Sequence, residues 1–225
     1  MGKLSIVATP IGNLGDLTFR ALWNMKEATV IYAEDTRVIS KLLSHYGLRK
    51  TVLRLDAATE TKKVPEITAR LEAGEHVVYV SDAGTPGVSD PGARLVAAVR
   101  EQLPEATIEA IPGPSALTAA LSIAGLSSDQ FLFLGFLPHK KGRQTALKDI
   151  AHCTFPVVLY ESPHRILKLL TELGKFAPKS RVTIARELTK IHEEVLVGDP
   201  LELAEKLEKK KAVRGEFVVI IESQK

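Results

Sequence analysis

Cysteine, long apolar runs and clustered histidines are all scarce in this chain of 225 residues. The single cysteine, Cys153, excludes an internal disulfide framework. No apolar run approaches the ~20 residues that a membrane-spanning helix needs. The start of the chain also lacks the charged-then-apolar pattern of a secretion signal. The sequence therefore predicts a cytoplasmic protein that does not enter a membrane.

The ionisable residues indicate no metal site and only a weak bias among partners. The six histidines stand singly, without the i, i+4 or Cys-x-x-Cys spacing that metal ligands use. We therefore expect neither a structural nor a catalytic metal. The net charge of +3 permits nucleic-acid binding but would not by itself indicate it.

Three common catalytic and nucleotide-binding motifs are missing. The stretch ATPIGNLGD at residues 8–16 has a proline where a G-x-G-x-x-G loop needs its tight turn. The Gly-Lys pairs at residues 2–3 and 174–175 are not followed by serine or threonine, so a Walker phosphate loop is absent. No G-x-S-x-G nucleophile elbow occurs either. Dinucleotide binding of the Rossmann type, triphosphate hydrolysis and serine hydrolysis are therefore not expected.

Strand-like and helix-like segments alternate in the first half of the chain. The apolar runs are Leu4–Ala8, Thr29–Ala33, His76–Val80 and Thr107–Ile111, and the segments of helical period are Leu17–Lys26, Arg37–Tyr46, Val64–Ala73 and Gly92–Leu103. This alternation predicts right-handed βαβ crossovers and a mostly parallel sheet with flanking helices.

The pattern changes after Gly125, where strand-like segments sometimes follow one another directly. They are Phe131–Phe136, Pro156–Tyr160, Arg181–Arg186, Glu193–Gly198 and Glu216–Glu222. Such an arrangement favours a mixed sheet. We therefore predict an α/β protein of two domains, an N-terminal α/β domain over residues 1–113 and a C-terminal α/β domain with a mixed sheet over residues 114–225.

Three loops rich in proline and glycine follow predicted strands, at residues 9–16, 82–92 and 112–115. Ligands of parallel sheets bind beyond the carboxyl ends of the strands, where these loops lie. Pro114 and Ser115 suit the start of a helix whose free N–H groups face a ligand. Few basic residues accompany the loops, which argues against a polyphosphate. A molecule with an adenine, a ribose and a zwitterionic amino-acid tail fits them better.

Eight segments together resemble a known family. They are VATPIGNLGDLTFRAL (7–22), AEDTR (33–37), SDAGTPGVSDPG (81–92), PGPSA (112–116), GFLP (135–138), YESPHRI (160–166), ARELTK (185–190) and GEFVVII (215–221). In this order they are similar to the methyltransferase I family of small-subunit ribosomal RNA, 2′-O-ribose cytidine methylases with the fold of the tetrapyrrole methylases. The resemblance spans nearly the whole chain.

The resemblance implies a homodimer of two-domain subunits with S-adenosylmethionine in the cleft between the domains. It implies that the cofactor is bound by Pro10, Asp82, Ala83, Gly84, Val88, Ser115 and Ala116. The substrate would be a cytidine in the decoding region of small-subunit ribosomal RNA, either naked or within the ribosomal subunit.

The candidate catalytic residues are Asp35, Glu161 and Arg186, which lie at or just past the ends of predicted strands. The candidate general bases are Asp35, Glu161 and Glu187, and the alternative for each is a helix cap or an ion pair with Arg37 or Arg186. Arg37 and Arg186 are also candidates for gripping RNA phosphates.

Lys140, Lys141 and Arg143 crowd a loop around Gly142, which predicts contact with RNA; a solvated surface is the alternative. With Arg37 they form the predicted substrate-binding set.

Two departures from the family pattern limit what can be carried over. Many members have a His-x-His-Asn-like stretch where this chain reads LDAATE at residues 55–60. Many also continue for several dozen residues beyond the position of Lys225, so we expect an RNA-binding surface from that segment to be missing or replaced. A tetrapyrrole methyltransferase and a non-catalytic ribosome-assembly factor remain the alternative functions.

Overall fold

The computed structural model describes residues 1–127, 129–210 and 213–222. The chain forms two compact units that divide after Ser115, two residues beyond the boundary expected from the sequence. Within the described ranges, none of the helices has the length and apolar character to cross a bilayer.

The first unit is a parallel sheet with connecting helices. Its elements are β1 (Lys3–Val7), α1 (Phe19–Glu27), β2 (Val30–Ala33), α2 (Thr36–His45), β3 (Val52–Arg54), α3 (Glu60–Glu72), β4 (His76–Val80), α4 (Ala93–Gln102) and β5 (Thr107–Ile111). The strand order is β3-β2-β4-β1-β5, and every pairing is parallel. The predicted parallel sheet is therefore confirmed.

Helices cover both faces of this sheet. Alternate residues of β2 and β4 point to opposite sides: Tyr32 and Tyr79 pack with α3 and α4, whereas Ile31 and Val78 pack with α1 and α2. Because both faces are buried at the centre of the sheet, β2 and residues 77–80 of β4 are apolar at every position instead of alternating with polar residues. The same burial made the strands visible as short apolar runs in the sequence.

The second unit has a mixed sheet. Its elements are α5 (Ala116–Ile123), β6 (Leu132–Phe136), α6 (Arg143–His152), β7 (Val157–Glu161), α7 (Ile166–Phe176), β8 (Val182–Arg186), β9 (Glu194–Gly198), α8 (Pro200–Lys209) and β10 (Phe217–Ile221). The strand order is β6-β7-β10-β8-β9, with β6 and β7 parallel and the other neighbours antiparallel. The mixed sheet predicted for this half is confirmed. One face packs on α6, α7 and α8, and side chains from those helices and the central strands form its core.

Arg143 corrects one expectation. It is the first residue of α6 rather than part of an exposed loop, and only 4% of its surface is accessible. Its Nε and Nη2 atoms lie 2.8 and 2.7 Å from Glu172 Oε2 on α7. A guanidinium held inside in this way joins two helices, so the expectation that Arg143 faces RNA from a loop is wrong.

The Arg143–Glu172 pair predicts a large stability loss when one partner is removed. Replacing Glu172 by Ala leaves a guanidinium that is 95% covered without its counter-ion, since its side chain is 5% exposed. We expect a loss of about 3 kcal/mol in the free energy of unfolding, measured by urea denaturation. Arg181→Ala breaks the more exposed pair with Glu222 and should cost at most about 1 kcal/mol. Equal losses in the two variants would show that the buried ion pair contributes no more to the free energy of unfolding than the exposed pair does.

Candidate functional site

Two backbone hydrogen bonds join the loop after β1 to the loop after β4. The Thr9 N–H donates to the Gly84 carbonyl at 2.9 Å, and the Gly84 N–H donates to the Thr9 carbonyl at 3.0 Å. The Thr85 hydroxyl then donates to the Pro114 carbonyl at 3.2 Å, in the loop after β5. Since the strands are parallel, their carboxyl ends meet at one edge of the sheet, and these bonds hold the three predicted loops there.

Glycine is required at the centre of this connection. Gly84 has φ of 81°, in the left-handed region, and a Cβ there would lie 3.3 Å from Ile11 Cγ2. Gly92, at the end of the loop, has φ of 124°, and its Cβ would lie 2.7 Å from a ring carbon of Tyr79. The loop of residues 81–92 therefore follows one restricted path, as its glycines and prolines predicted.

A pocket of about 380 Å³ is lined by residues of the loops after β1 and β4 and by residues of α2. This volume is within the range of small-molecule sites. The pocket is lined by Thr9, Pro10, Leu14, Val38, Ile39, Lys41, Leu42, Ser81 and Asp82. Two residues of the predicted cofactor set, Pro10 and Asp82, are therefore brought together. The contribution of α2 was not predicted. The period of its apolar residues indicates a helix with one buried face, but it does not indicate which loops lie next to that helix.

The other residues of the predicted cofactor set have different positions. Ala83 is exposed, Gly84 is buried and Val88 is half-buried, all in the loop after β4. Ser115 is the last residue of the first unit, and Ala116 begins α5 in the second.

Asp35 caps α2 and pairs with Arg37. Its carboxylate accepts the Arg37 N–H at 2.8 Å and also binds the Arg37 guanidinium. Hydrogen bonds from the Arg37 side chain and backbone lower the pKa of Asp35 to about 2. A carboxylate with so low a pKa is a weak proton acceptor at neutral pH, so this geometry supports the structural alternative for Asp35. Its own N–H donates to Asp82 Oδ1 at 2.8 Å, which ties the loop after β2 to the loop after β4.

Carboxylates dominate the electrostatics of this edge of the sheet. Burial, reinforced by the charges of Asp82 and Asp90, raises the pKa of Glu34. Burial also raises the pKa of Asp90, and the nearby Asp82 adds to the effect. Burial is the larger cause of both shifts, and the repulsion between the carboxylates that adds to it makes this edge unfavourable for a further anion such as a phosphate.

Glu60 fixes the far end of the loop after β4. This carboxylate is 3% exposed, and its Oε1 atom accepts the Gly92 N–H at 3.0 Å and the Leu95 N–H at 2.9 Å. It therefore caps the N-terminus of α4 from the start of α3, where the helix dipole favours negative charge. The sequence did not reveal this role, because the partners lie 32 and 35 residues away.

The two catalytic candidates of the second unit are held by internal contacts. Glu161 is 2% exposed; its Oε1 accepts the Ser162 N–H at 2.8 Å and lies 3.3 Å from Arg165 Nε. Its Oε2 has no hydrogen-bond partner among the residues that the structure describes. Arg186 donates to the Arg214 carbonyl at 2.9 Å and lies 3.3 Å from Glu194. The Arg186 guanidinium therefore forms an ion pair within the second unit, which was the structural alternative to a functional role.

The turn after β8 is strained, a feature that its sequence did not signal. Glu187 and Thr189 have φ of 52° and 66°, although neither is a glycine. The Glu187 carboxylate accepts from Lys190 Nζ at 2.8 Å and from the Glu216 N–H at 3.1 Å, and these bonds stabilise the turn. Residues in this backbone region cluster at functional sites, which supports the ARELTK segment, already a candidate through Arg186 and Glu187.

The remaining predicted substrate residues are accessible. Lys140 and Lys141 are exposed in the turn before α6. The Arg37 side chain is 85% exposed, although its guanidinium pairs with Asp35.

Because the Glu60 carboxylate accepts two backbone N–H groups, its removal should lower the stability of the protein and loosen the start of α4. Glu60→Ala leaves two buried N–H groups unsatisfied, so we expect a loss of about 3 kcal/mol in the free energy of unfolding. Hydrogen exchange of the Gly92 and Leu95 amides should become faster, as measured by NMR or mass spectrometry. Asp199→Ala removes an exposed cap, of α8, and should cost about 1 kcal/mol without changing exchange in α4. Unchanged exchange at both amides in Glu60→Ala would contradict the capping role.

Comparison with known proteins agrees with this architecture. The family model of Tetrapyrrole (Corrin/Porphyrin) Methylases matches residues 3–204. A protein of Xylella fastidiosa named ribosomal RNA small subunit methyltransferase I is 46% identical over 98% of this chain and 81% of its own length. The protein of that name from Thermotoga maritima is 42% identical over 98% of both chains.

Among solved structures, uroporphyrin-III C-methyltransferase of Thermus thermophilus complexed with S-adenyl homocysteine aligns with a TM-score of 0.66. It is 19% identical and covers 98% of this chain and 97% of its own, which shows a shared fold. The chain therefore belongs to the tetrapyrrole methylases, and within them to the ribosomal RNA small subunit methyltransferase I family.

Proposed function

We propose that this protein transfers the methyl group of S-adenosylmethionine to the ribose 2′-hydroxyl of a cytidine in small-subunit ribosomal RNA. The observation that carries the proposal is the identity of 46% and 42% with two methyltransferases of that name, over 98% of this chain. Neither a porphyrinoid substrate nor a non-catalytic assembly role has comparable support.

The loops of the first unit fit the cofactor. The pocket has room for part of a nucleoside with an amino-acid tail, and its walls include residues of the loops after β1 and β4. The carboxylates around Glu34 and Asp82 suit a ligand that carries a sulfonium and an ammonium group. We propose Pro10, Asp82, Ala83 and Gly84 as its main contacts, with Val88, Ser115 and Ala116 completing the set.

Bound S-adenosylmethionine would supply an electrophilic methyl carbon attached to a positively charged sulfur. The ribose 2′-hydroxyl would be the acceptor of that methyl group, and its proton would pass to a basic side chain of the protein. The role of the protein is to hold the two reactants in line, which can contribute about 7–11 kcal/mol to lowering the barrier. The rigid loop of residues 81–92 suits that role.

Of the carboxylates among the catalytic candidates, Glu161 is the one with a buried oxygen that is not used in internal hydrogen bonds of the described residues. Its Oε2 has no hydrogen-bond partner among the described residues, whereas the pKa of Asp35 is lowered to about 2. We propose Glu161 as the general base, a role that contributes roughly 10²–10⁴-fold to the rate. Arg186 would then orient the surrounding turn through Glu194.

The partners follow from the same proposal. Lys140, Lys141 and Arg37 would contact RNA phosphates, since all three are exposed. We further propose a cytoplasmic homodimer that acts on the assembled small subunit.

Two measurements on the purified protein test the function. Calorimetric titration with S-adenosylmethionine should show saturable binding, and a labelled methyl group should then appear on a cytidine ribose of small subunits from a strain lacking this modification. Binding without transfer would exclude the RNA substrate, and absence of binding would exclude the cofactor.

Gly84→Ala should weaken cofactor binding selectively. The substitution forces an L-residue into φ of 81° with its Cβ 3.3 Å from Ile11, which displaces the loop; we expect the dissociation constant for S-adenosylmethionine to rise roughly tenfold. Gly47→Ala is the matched control, because Gly47 has φ of 68° and open space around its Cβ. Both variants should lose about 1 kcal/mol of stability. Equal affinities in Gly84→Ala and Gly47→Ala would refute the assignment of this loop.

A further inference from the structure

Helix α1 exposes two aromatic rings on one face. Phe19 is 93% exposed and Trp23 is 61% exposed. They lie four residues apart, so both point to the same side of the helix. The opposite side of α1 holds Ala21 and Met25 in the core. Phe19 and Trp23 therefore serve neither the core nor the lining of the pocket described above.

The exposed apolar area is too small for a stable contact between protein subunits. An aromatic side chain buries about 150–250 Å² when fully covered, so these two expose on the order of 300 Å². A standard protein–protein interface covers about 800 Å² on each partner. Leu14 and Val38, the other partly exposed apolar side chains nearby in sequence, line the pocket instead. A second copy of the chain is thus not the occupant that the area favours.

The charges around the two rings favour a polyanion. The exposed charged residues of α1, which the structure describes in full, are Arg20, Lys26 and Glu27. Lys26 Nζ lies 5.4 Å from the Trp23 ring centroid, within the range of a cation–π contact. Aromatic rings flanked by cations are the surface that binds single-stranded nucleic acid, because bases stack on the rings and phosphates meet the cations.

We propose that the outer face of α1, formed by Phe19, Arg20, Trp23 and Lys26, binds single-stranded RNA. Four residues advance a helix by about 6 Å, so the two rings can receive two bases of one unstacked strand. The identity of the polymer as RNA rests on the proposed function. The surface belongs to the first unit, whereas the basic turn at Lys140 and Lys141 belongs to the second, and the surface adds a base-stacking contact that lysines do not supply.

Trp23 is the only tryptophan of the chain, so its fluorescence reports on this surface directly. Titration with a single-stranded RNA of about 12 nucleotides should quench the Trp23 emission saturably. Phe19→Ala should weaken the RNA affinity roughly tenfold while Trp23 still reports binding. Arg20→Gln should reduce the salt dependence of that affinity. Phe155→Ala removes a phenylalanine that is 43% exposed in the second unit, and it should leave the affinity unchanged.

The opposite results would each overturn the inference. One is a Trp23 emission that stays constant while the fluorescence anisotropy of labelled RNA shows that the RNA binds. A second is the absence of any RNA binding by the same anisotropy measurement. Another is a Trp23 emission that changes with protein dilution in the absence of RNA, which would assign the face to a second copy. Methyl transfer by the wild-type protein is measured separately, so failure of this surface is distinguishable from failure of the proposed function.

Discussion

The paired hydrogen bonds between Thr9 and Gly84 are the constraint on which the candidate site depends. They form because β1 and β4 are neighbours in a parallel sheet, so that both following loops leave from the same edge. They also require φ of 81° at Gly84, which few other residues adopt. Once the two loops are joined by these bonds, Pro10 and Asp82 line one pocket.

Two carboxylates fix the two ends of the loop after β4, in addition to the backbone hydrogen bonds. At one end of the loop after β4, the Asp82 carboxylate accepts the Asp35 N–H; at the other end, the buried Glu60 carboxylate accepts two N–H groups of the α4 N-terminus. Both anions serve as hydrogen-bond acceptors that fix backbone. Burial, with the added charges of Asp82 and Asp90, also raises the pKa of Glu34, so this edge of the sheet disfavours further negative charge on a ligand.

Local patterns predicted the sheet but not the long-range contacts. The central strands were readable because burial on both faces makes them apolar runs, whereas β3, which is short and ends in Arg54, was not predicted. The loops were readable because glycine and proline restrict the backbone locally. Arg143 was misread, since nothing in a run of basic residues indicates that one of them meets Glu172 across two helices. Glu60 was missed for the same reason. Exposure of Phe19 could not be predicted either, because an aromatic residue in an amphipathic helix normally faces the core.

The low pKa of Asp35 and the rigid loop point to the same account of catalysis. Attack of a ribose oxygen on a sulfonium methyl group neutralises positive charge as the bond forms, so a strongly basic carboxylate is not the first requirement. The first requirement is alignment of the two reactants, because the high effective concentration of oriented reactants is lost when either one moves by about an ångström. A site that immobilises its loop with backbone bonds, a buried carboxylate and two left-handed glycines is therefore built for positioning. On this view the stiffness of residues 81–92 is itself the main catalytic contribution of the first unit.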